Sequence, residues 1–243
     1  MYGLWSLAGV LGFTLWHGLR ASLGALLGVA DRPGGLYDRE PRDWARHLLR
    51  WTRLSVETMG LERLEPDRPY VFAANHASFV DIWLLLAWLP GSVRFIAKRE
   101  LFSIPLFGRA VRATGQIAVD RSDLEAATES YDEAAGEVRG GRSVIVFVEG
   151  TRTRDGRLQQ FKKGGFVLAI AAGVPLVPVY LRGTHRAMPR GSLWLRQQPV
   201  GLVVGQPLPT EGLSYADRDA LLARAQRWFE LQQAAVDAVE SQA

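Results

Sequence analysis

The sequence predicts an α/β fold: a largely parallel sheet with crossover helices, preceded by an N-terminal two-helix membrane-associating motif. Short apolar runs alternate with helical patterns through the middle of the chain, as expected for a parallel sheet. Most of these runs are apolar without alternation, which is typical of strands covered on both faces. The first 30 residues are almost entirely apolar. The predicted strands are residues 70–74, 93–97, 116–119, 143–148 and 175–181.

The N-terminal segment, residues 1–30, is apolar except for His17 and Arg20. No basic segment precedes it, so it does not look like a typical cleavable signal. Its uninterrupted part, residues 1–16, is shorter than the roughly 20 residues that span a bilayer. We expect a helix that lies in one leaflet. Two alternatives stay open: a full span with Arg20 at the interface, and a helix packed on the protein's own core.

A second helix is predicted over residues 41–59, after a break with proline and glycine at residues 31–35. One stripe of this helix contains tryptophans and another contains arginines. This combination suits the headgroup layer of an anionic membrane, although a basic stripe also suits a solvated face. We therefore divide the chain into a membrane-associating two-helix segment, residues 1–59, and an α/β domain, residues 60–243. The two stripes are Trp44, Leu48, Trp51 and Ser55, and Arg46, Arg50 and Arg53.

Further helices are predicted between the strands, over residues 78–89, 122–139 and 165–172. Residues 193–204 are predicted to add a hairpin, and residues 215–239 to form a C-terminal helix. A chain of 243 residues is long enough to bury one sizeable core.

The composition excludes several kinds of chemistry. There is no cysteine, which rules out disulfides, thiolate–metal sites and a cysteine nucleophile. The net charge of +4 is too small to predict nucleic acid as a partner. Arginine is the usual cation, since Lys98, Lys162 and Lys163 are the only lysines, and we interpret these three as specifically placed.

A polar heptapeptide, residues 75–81, lies between the first predicted strand and the next helix, where α/β folds place chemistry. It contains Asn75, the only asparagine of the chain. One interpretation is structural, because Ser78 and Asp81 match a capping box at a helix start. The other is a His76–Asp81 pair, in which the carboxylate fixes the imidazole tautomer and leaves the other ring nitrogen to accept a proton. Spacing alone does not separate the two.

Charged residues follow the later strands where each apolar run ends. Lys98 and Arg121 come after the second and third strands and are candidates for binding an anionic headgroup. A pairing of Lys98 with Glu100 is the alternative.

The run Glu149-Gly150-Thr151-Arg152 follows the fourth strand. Gly150 permits a ligand to approach the backbone, and Arg152 offers a fork that matches phosphate or carboxylate oxygens. Glu149 is placed either to hold Arg152 or to bind a substrate hydroxyl. The run also suits an ordinary turn, so it carries little weight alone.

Some motifs are absent from the sequence. There is no Gly-x-Ser-x-Gly elbow, no Walker phosphate-binding loop and no His/carboxylate cluster with zinc-ligand spacing. A base without an enzyme nucleophile favours direct attack by a substrate hydroxyl.

Together these runs resemble the glycerolipid acyltransferase family, and within it the bacterial 1-acyl-sn-glycerol-3-phosphate acyltransferases. The resemblance covers about residues 70–180, with four blocks in the family's order. Val148 stands where the family usually has proline. The blocks are residues 75–81 (Asn-His-x-Ser-x-x-Asp), residues 98–108 (Lys-x-Glu-Leu…Pro…Gly) with residues 119–121 following, residues 147–152, and residues 174–179.

The resemblance implies transfer of a fatty acyl group from acyl-CoA or acyl carrier protein to 1-acyl-sn-glycerol-3-phosphate, giving phosphatidic acid. It implies His76 as the base and Asp81 as its orienting carboxylate, with no metal or cofactor. Backbone N–H groups near Ser78 are expected to stabilise the oxyanion. Substrate binding is expected from Lys98, Arg121, Glu149, Gly150, Thr151 and Arg152, with Asn75 and Ser78 in supporting roles.

The expected partners are the thioester donor, a lysophospholipid acceptor and a membrane surface, with no nucleic acid. The expected location is the cytoplasmic face of a bacterial inner membrane. Two other functions stay open: acyl transfer to another lyso-lipid, such as a lyso-ornithine lipid, and a non-catalytic module that binds lipid at a membrane surface.

Overall fold

The computed structural model describes residues 2–105, 107–119 and 124–241. Within them, the helices are α1 Tyr2–Leu26, α2 Leu36–Trp51, α3 Val80–Trp88, α4 Phe107–Ala113, α5 Leu124–Arg139, α6 Gly164–Ala172, α7 Thr184–Ala187 and α8 Arg218–Glu240. The strands are β1 Val56–Met59, β2 Val71–Ala74, β3 Val93–Lys98, β4 Ile117–Val119, β5 Ser143–Phe147, β6 Leu176–Arg182 and β7 Val200–Val204.

The strands form one sheet in the order β1-β7-β6-β2-β5-β3-β4. β2 lies at the centre, parallel to both β5 and β6, and β3 and β4 extend the parallel part. β7 runs antiparallel to β6, and β1 pairs in parallel with β7 at the edge. The predicted α/β fold with a largely parallel sheet is confirmed. Its topology places the carboxyl ends of β2, β3, β5 and β6 at one edge of the sheet.

Both faces of the sheet are covered, which explains why its central strands are apolar throughout. Phe72 and Ala74 of β2 belong to a core that includes side chains of α2 and α3. Val71 and Ala73 belong to a second core, with side chains of α5, α6 and α8. Successive residues of a strand point to opposite faces, so both sets must be apolar.

The predicted second helix is wrong at both ends. α2 begins at Leu36, five residues before Pro41, and the Asp38 carboxylate in its first turn accepts a hydrogen bond from the N–H of Gly34 at 2.7 Å. It ends at Trp51, because Arg53 adopts a left-handed conformation (φ 49°) that no helix continues through.

Residues 56–59, predicted as helix, form β1 instead. The burial of this strand alternates between half-buried and exposed, as expected at the edge of a sheet. Leu48 and Leu49 of α2 lie in the same core as the sheet. The division of the chain at residue 60 stays a prediction, although β1, which precedes that division, pairs within the sheet.

The predicted hairpin over residues 193–204 is also wrong, since only Val200–Val204 forms a strand there. The residues before it form a loop that leads from α7 to β7. Two short helices, α4 and α7, were not predicted.

Helix α1 packs through small residues and presents large apolar side chains outward. Its buried residues are Ser6, Gly9, His17, Ala21 and Gly24, and a Cβ on Gly9 would lie 2.2 Å from the Trp51 ring. Arg20 and His17 both bind the carboxylate of Glu40 on α2, at 2.8 and 2.6 Å. Most of the large apolar surface of α1 is therefore not packed on the protein's own core. The exposed residues include Leu4, Trp5, Leu11, Leu15, Trp16, Leu19, Leu23 and Leu26.

No helix in the described part of the chain is both long enough and apolar enough to cross a membrane.

Candidate active site

The loop that carries the heptapeptide is fastened to β6 by Asn75. Its amide donates to the carbonyl oxygen of Leu181 at 2.9 Å and accepts from the N–H of the same residue at 2.7 Å. The side chain is almost fully buried, so both bonds are shielded from water. Asn75 therefore fixes where the chain leaves β2, and its supporting role in the site stays a prediction.

His76 and Asp81 form the predicted pair. His76 Nδ1 lies 2.8 Å from Asp81 Oδ2, and the carboxylate is fully buried while the imidazole is 14% exposed. The same Oδ2 accepts from the N–H groups of Ala77 and Ser78, each at 2.7 Å. An imidazole that donates from Nδ1 to this carboxylate presents a lone pair at Nε2, which is the arrangement of a general base.

One oxygen atom of Asp81 thus makes both the contacts expected from the structural interpretation and the contact expected from the catalytic one. Asp81 reaches back to backbone N–H groups before α3, as a capping side chain does, and it also orients His76. Because the N–H groups of Ala77 and Ser78 donate to Asp81, the expectation that N–H groups here stabilise an oxyanion is wrong for these two.

Ser78 does not occupy the N-cap position, which belongs to Phe79. Its hydroxyl accepts from the N–H of Val80 at 3.2 Å and donates to the carbonyl oxygen of Met188 at 2.7 Å. Ser78 therefore connects the His76 loop to the segment that follows α7.

The loop after β5 holds His76 by its main chain. Glu149 Oε1 accepts from the N–H of His76 at 3.1 Å, and Thr153 donates its N–H to the carbonyl oxygen of His76 at 2.8 Å. The imidazole also stacks on the Phe147 ring, with centroids 3.7 Å apart and planes 12° from parallel. The imidazole is thus positioned from β5 as well as from Asp81.

Glu149 is expected to hold Arg152 or to bind a substrate hydroxyl; in the structure its Oε1 accepts from the N–H of His76, and the substrate contact stays a prediction. Burial raises the pKa of Glu149 to about 7, against the lowering effect of the backbone N–H groups of His76 and Gln159. Asp81 and Asp155 raise it further by charge repulsion.

Arg152 is partly buried, with its guanidinium 4.2 Å from the centroid of the Phe79 ring. Burial lowers its pKa, and so does the charge of Arg190. The carbonyl oxygen of Arg152 accepts a hydrogen bond from Arg190 Nη1 at 2.7 Å. Gly150, with φ 72°, supplies the left-handed turn, and Thr151 is exposed.

Lys98 lies at the same sheet edge but is not brought into contact with His76. It ends β3, two strands from β2, which corresponds to about 10 Å across the sheet. Its ammonium forms an exposed ion pair with Glu100 at 2.6 Å, the alternative that the sequence left open. Arg121, the remaining predicted anion-binding residue, lies outside the described residues.

Phe147, Met188 and Arg190 were not predicted as part of the site. Phe147 belongs to a matching block, but its stacking depends on how β2 and β5 pair. Met188 and Arg190 lie beyond every block, and no sequence signal marks them. Within the described residues, no group of three or more His, Asp or Glu side chains is arranged to hold a metal ion.

Residues 55–182 match the family model described as Acyltransferase. The chain belongs to the acyltransferase family. This confirms the family predicted from the sequence. The matched region contains every predicted site residue and excludes Arg190.

Named relatives are 1-acyl-sn-glycerol-3-phosphate acyltransferases. The chloroplastic enzyme of Brassica napus is 36% identical over 206 residues, covering 81% of this acyltransferase chain and 60% of that protein. The chloroplastic enzyme of Arabidopsis thaliana is 42% identical over 141 residues, covering 58% of this chain and 39% of that protein. The chain therefore spans less than two thirds of the length of either relative.

A solved structure agrees over nearly the whole chain. The crystal structure of PlsC, the 1-acyl-sn-glycerophosphate (LPA) acyltransferase of Thermotoga maritima, matches this acyltransferase with a TM-score of 0.75 and 27% identity. The match covers 96% of this chain and 98% of that one.

Proposed function

We propose that this chain transfers a fatty acyl group from an acyl thioester to the free hydroxyl of 1-acyl-sn-glycerol-3-phosphate, giving phosphatidic acid. The observation that carries the proposal is the 2.8 Å contact between His76 Nδ1 and the buried Asp81 carboxylate. The acceptor is inferred from the named activities of the relatives. The donor is acyl-CoA or acyl carrier protein.

In the proposed reaction, His76 Nε2 takes the proton of the acceptor hydroxyl as its oxygen attacks the thioester carbon. A C–O bond forms and the C–S bond breaks. The thiolate leaves and takes up the proton that the imidazolium carries. Asp81 stabilises that imidazolium by charge and holds the ring through Nδ1, while Glu149 and Thr153 keep the main chain of His76 in place.

The acceptor phosphate is assigned to the cationic side of the site. Arg152 offers a planar fork that binds two oxygens, and its stacking on Phe79 orients that fork. Lys98 supplies a point charge from the neighbouring part of the edge, provided that it exchanges Glu100 for the ligand.

We further propose that α1 attaches the enzyme to a membrane surface, where the lysophospholipid acceptor resides. The outward leucines and tryptophans of α1 form an apolar face of the kind that inserts into the headgroup and acyl boundary. The side of the membrane, and a bacterial inner membrane in particular, remain predictions from the sequence.

The test is release of free thiol by purified protein, given a panel of lyso-lipids with acyl-CoA and with acyl carrier protein as donors. We expect release that depends on 1-acyl-sn-glycerol-3-phosphate and falls by roughly 10²–10⁴-fold in His76→Ala. A lyso-ornithine lipid in the panel tests the other acceptor. Absence of acceptor-dependent thiol release with the whole panel would support the non-catalytic module instead.

A further inference from the structure

The loop between α7 and β7 brings a further arginine to the site. Ser78 donates its hydroxyl to the carbonyl oxygen of Met188 at 2.7 Å. Slightly further along this loop, Arg190 donates from Nη1 to the carbonyl oxygen of Arg152, also at 2.7 Å. The loop is therefore fastened both to the turn that carries His76 and to the turn after β5.

Within the described part of the chain, no carboxylate is bonded directly to Arg152 or Arg190. Arg152 lies on an aromatic ring, and Arg190 donates to a carbonyl, but neither forms an ion pair with a described carboxylate. Burial lowers the pKa of Arg152, and Arg190 lowers it further, as expected when like charges approach, while the negative charge of Asp81 acts in the opposite direction. Some of the other described arginines do have acidic partners: Arg20 pairs with Glu40, Arg94 with Asp38, and Arg142 with Asp31 and Glu137. Arg190 is exposed, so its guanidinium is accessible to a ligand.

We propose that Arg190 is a second binding residue for the acceptor phosphate, acting beside Arg152. The proposal rests on the proposed function, since it concerns the same acceptor. Only one N–H of Arg190 is used by the Arg152 carbonyl, which leaves the rest of the guanidinium fork for ligand oxygens. Two neighbouring guanidinium groups without a directly bonded carboxylate match a phosphate monoester, which has three terminal oxygens and a charge of about −1.5 to −2.

This site predicts selectivity for a monoester over a diester, which carries about one negative charge and fewer free oxygens. It also explains why the loop is tied to the Ser78 turn, because the phosphate and the reacting hydroxyl belong to one small molecule and must be held together. Arg190 lies outside residues 55–182, so the family match assigns it no role.

The kinetic test compares Arg190→Ala and Arg190→Lys with Arg196→Ala. Arg196 is an exposed arginine of the same loop whose described hydrogen bond comes from its backbone. We expect the acceptor KM to rise on the order of ten- to hundredfold in Arg190→Ala, the range for loss of a charged hydrogen bond. The acceptor KM of Arg190→Lys should lie between those of the parent and Arg190→Ala, because lysine keeps the charge but loses the planar fork. Donor KM and the Arg196→Ala variant should be unchanged.

A phosphate-free acceptor, monoacylglycerol, separates binding from loop support. Arg190→Ala should lose little further activity with it. Equal losses with both acceptors, or an unchanged acceptor KM, would overturn the proposal and leave Arg190 as a residue that holds the loop.

A binding measurement keeps this result separate from the proposed function. Glycerol 3-phosphate should bind the parent protein in calorimetry, and more weakly by the same ten- to hundredfold in Arg190→Ala. If the parent shows this binding but transfers no acyl group, the proposed function fails and the anion site stands. If the parent is active and binding does not depend on Arg190, the anion site fails and the function stands.

Discussion

At the residue scale, the site depends on a single carboxylate oxygen that serves two purposes. Asp81 Oδ2 accepts hydrogen bonds from the imidazole and from two backbone N–H groups, so the geometry of the turn and the orientation of His76 are coupled. A substitution there alters both, and the two effects have to be measured separately.

Asp81→Asn tests this coupling. The amide oxygen still accepts hydrogen bonds, but the charge that stabilises the imidazolium is lost, so turnover should fall strongly while thermal stability falls modestly. Asp217→Asn is the matched control, because Asp217 caps a helix start far along the chain through Ser214 and touches no site residue. It should lower stability slightly and leave turnover unchanged. Near-normal turnover in Asp81→Asn would reduce Asp81 to a capping residue.

Glu149→Gln tests the protonation of the group that holds the His76 main chain. Burial raises the pKa of Glu149 from 4.5 to about 7, so its contribution to stability is present below pH 4.5 and is lost as pH rises through about 7. This rise in pKa corresponds to about 3 kcal/mol of folding free energy that is lost when Glu149 is ionised. Glutamine is neutral and still accepts from His76, so the variant should be more stable than the parent at pH 8 and similar to it near pH 4.5.

Urea unfolding of both proteins at these two pH values measures the difference. The exposed Glu62, whose side chain is 77% accessible, provides the control Glu62→Gln. A stability difference that is the same at both pH values would mean that folding does not raise the pKa of Glu149.

At the element scale, the strands that are buried on both faces are the elements that the sequence predicts most accurately. The five predicted strands lie within one residue of the observed ends because a strand apolar on both faces has a clear pattern. β1 was missed because an edge strand has a half-exposed pattern, and because helical stripes lead up to it as far as Ser55. α4 and α7 are too short for helical periodicity to appear.

α1 gives the clearest prediction for an element. Deleting residues 1–59 would also remove β1 and the core residues Leu48 and Leu49, so it would confuse unfolding with detachment. Leu11→Glu combined with Leu15→Glu places charge on the exposed face without touching a core, since these side chains are 63% and 51% exposed. The double variant should lose much of its co-sedimentation with anionic vesicles, because charge on that face opposes insertion.

The control uses the same chemical change elsewhere. Leu231 on α8 is 67% exposed, and Leu231→Glu should sediment with vesicles as the parent does. Circular dichroism and thermal unfolding should be unchanged for both. Equal sedimentation of all three proteins would place the attachment somewhere other than α1.

At the scale of the whole molecule, the site is assembled from turns that are far apart in the chain. The His76–Asp81 pair could be predicted because its residues are local and share one turn. The contacts of His76 with Phe147 and Glu149, and of Arg152 with Arg190, depend on which strands are neighbours. Motif order predicted which residues meet at the edge of the sheet, but not the hydrogen bonds among them.

A buried ion pair connects α2 to the amino end of β3, the end of the sheet that lies away from His76. Arg94, in β3, is fully buried and donates to Asp38 of α2 at 2.6 Å, and Ser92 donates to the same carboxylate oxygen at 2.7 Å. Asp31 lies 3.3 Å from the other end of the guanidinium. Because Asp38 is the buried counter-charge, α2 and the sheet are held together by a contact that is costly to break from one side.

Asp38→Ala should therefore lower the free energy of unfolding by about 3–5 kcal/mol, the range for leaving a buried charge without its partner. Asp43→Ala removes an exposed carboxylate of the same helix and should change stability by less than about 0.5 kcal/mol. Urea unfolding measures both. Acyl transfer per folded molecule should be unaffected at temperatures where Asp38→Ala stays folded, since the pair lies at the amino end of β3, away from the carboxyl edge where His76 is held. A loss in Asp38→Ala as small as in the control would mean that Asp31 alone neutralises Arg94, and that α2 is held to the sheet by apolar packing.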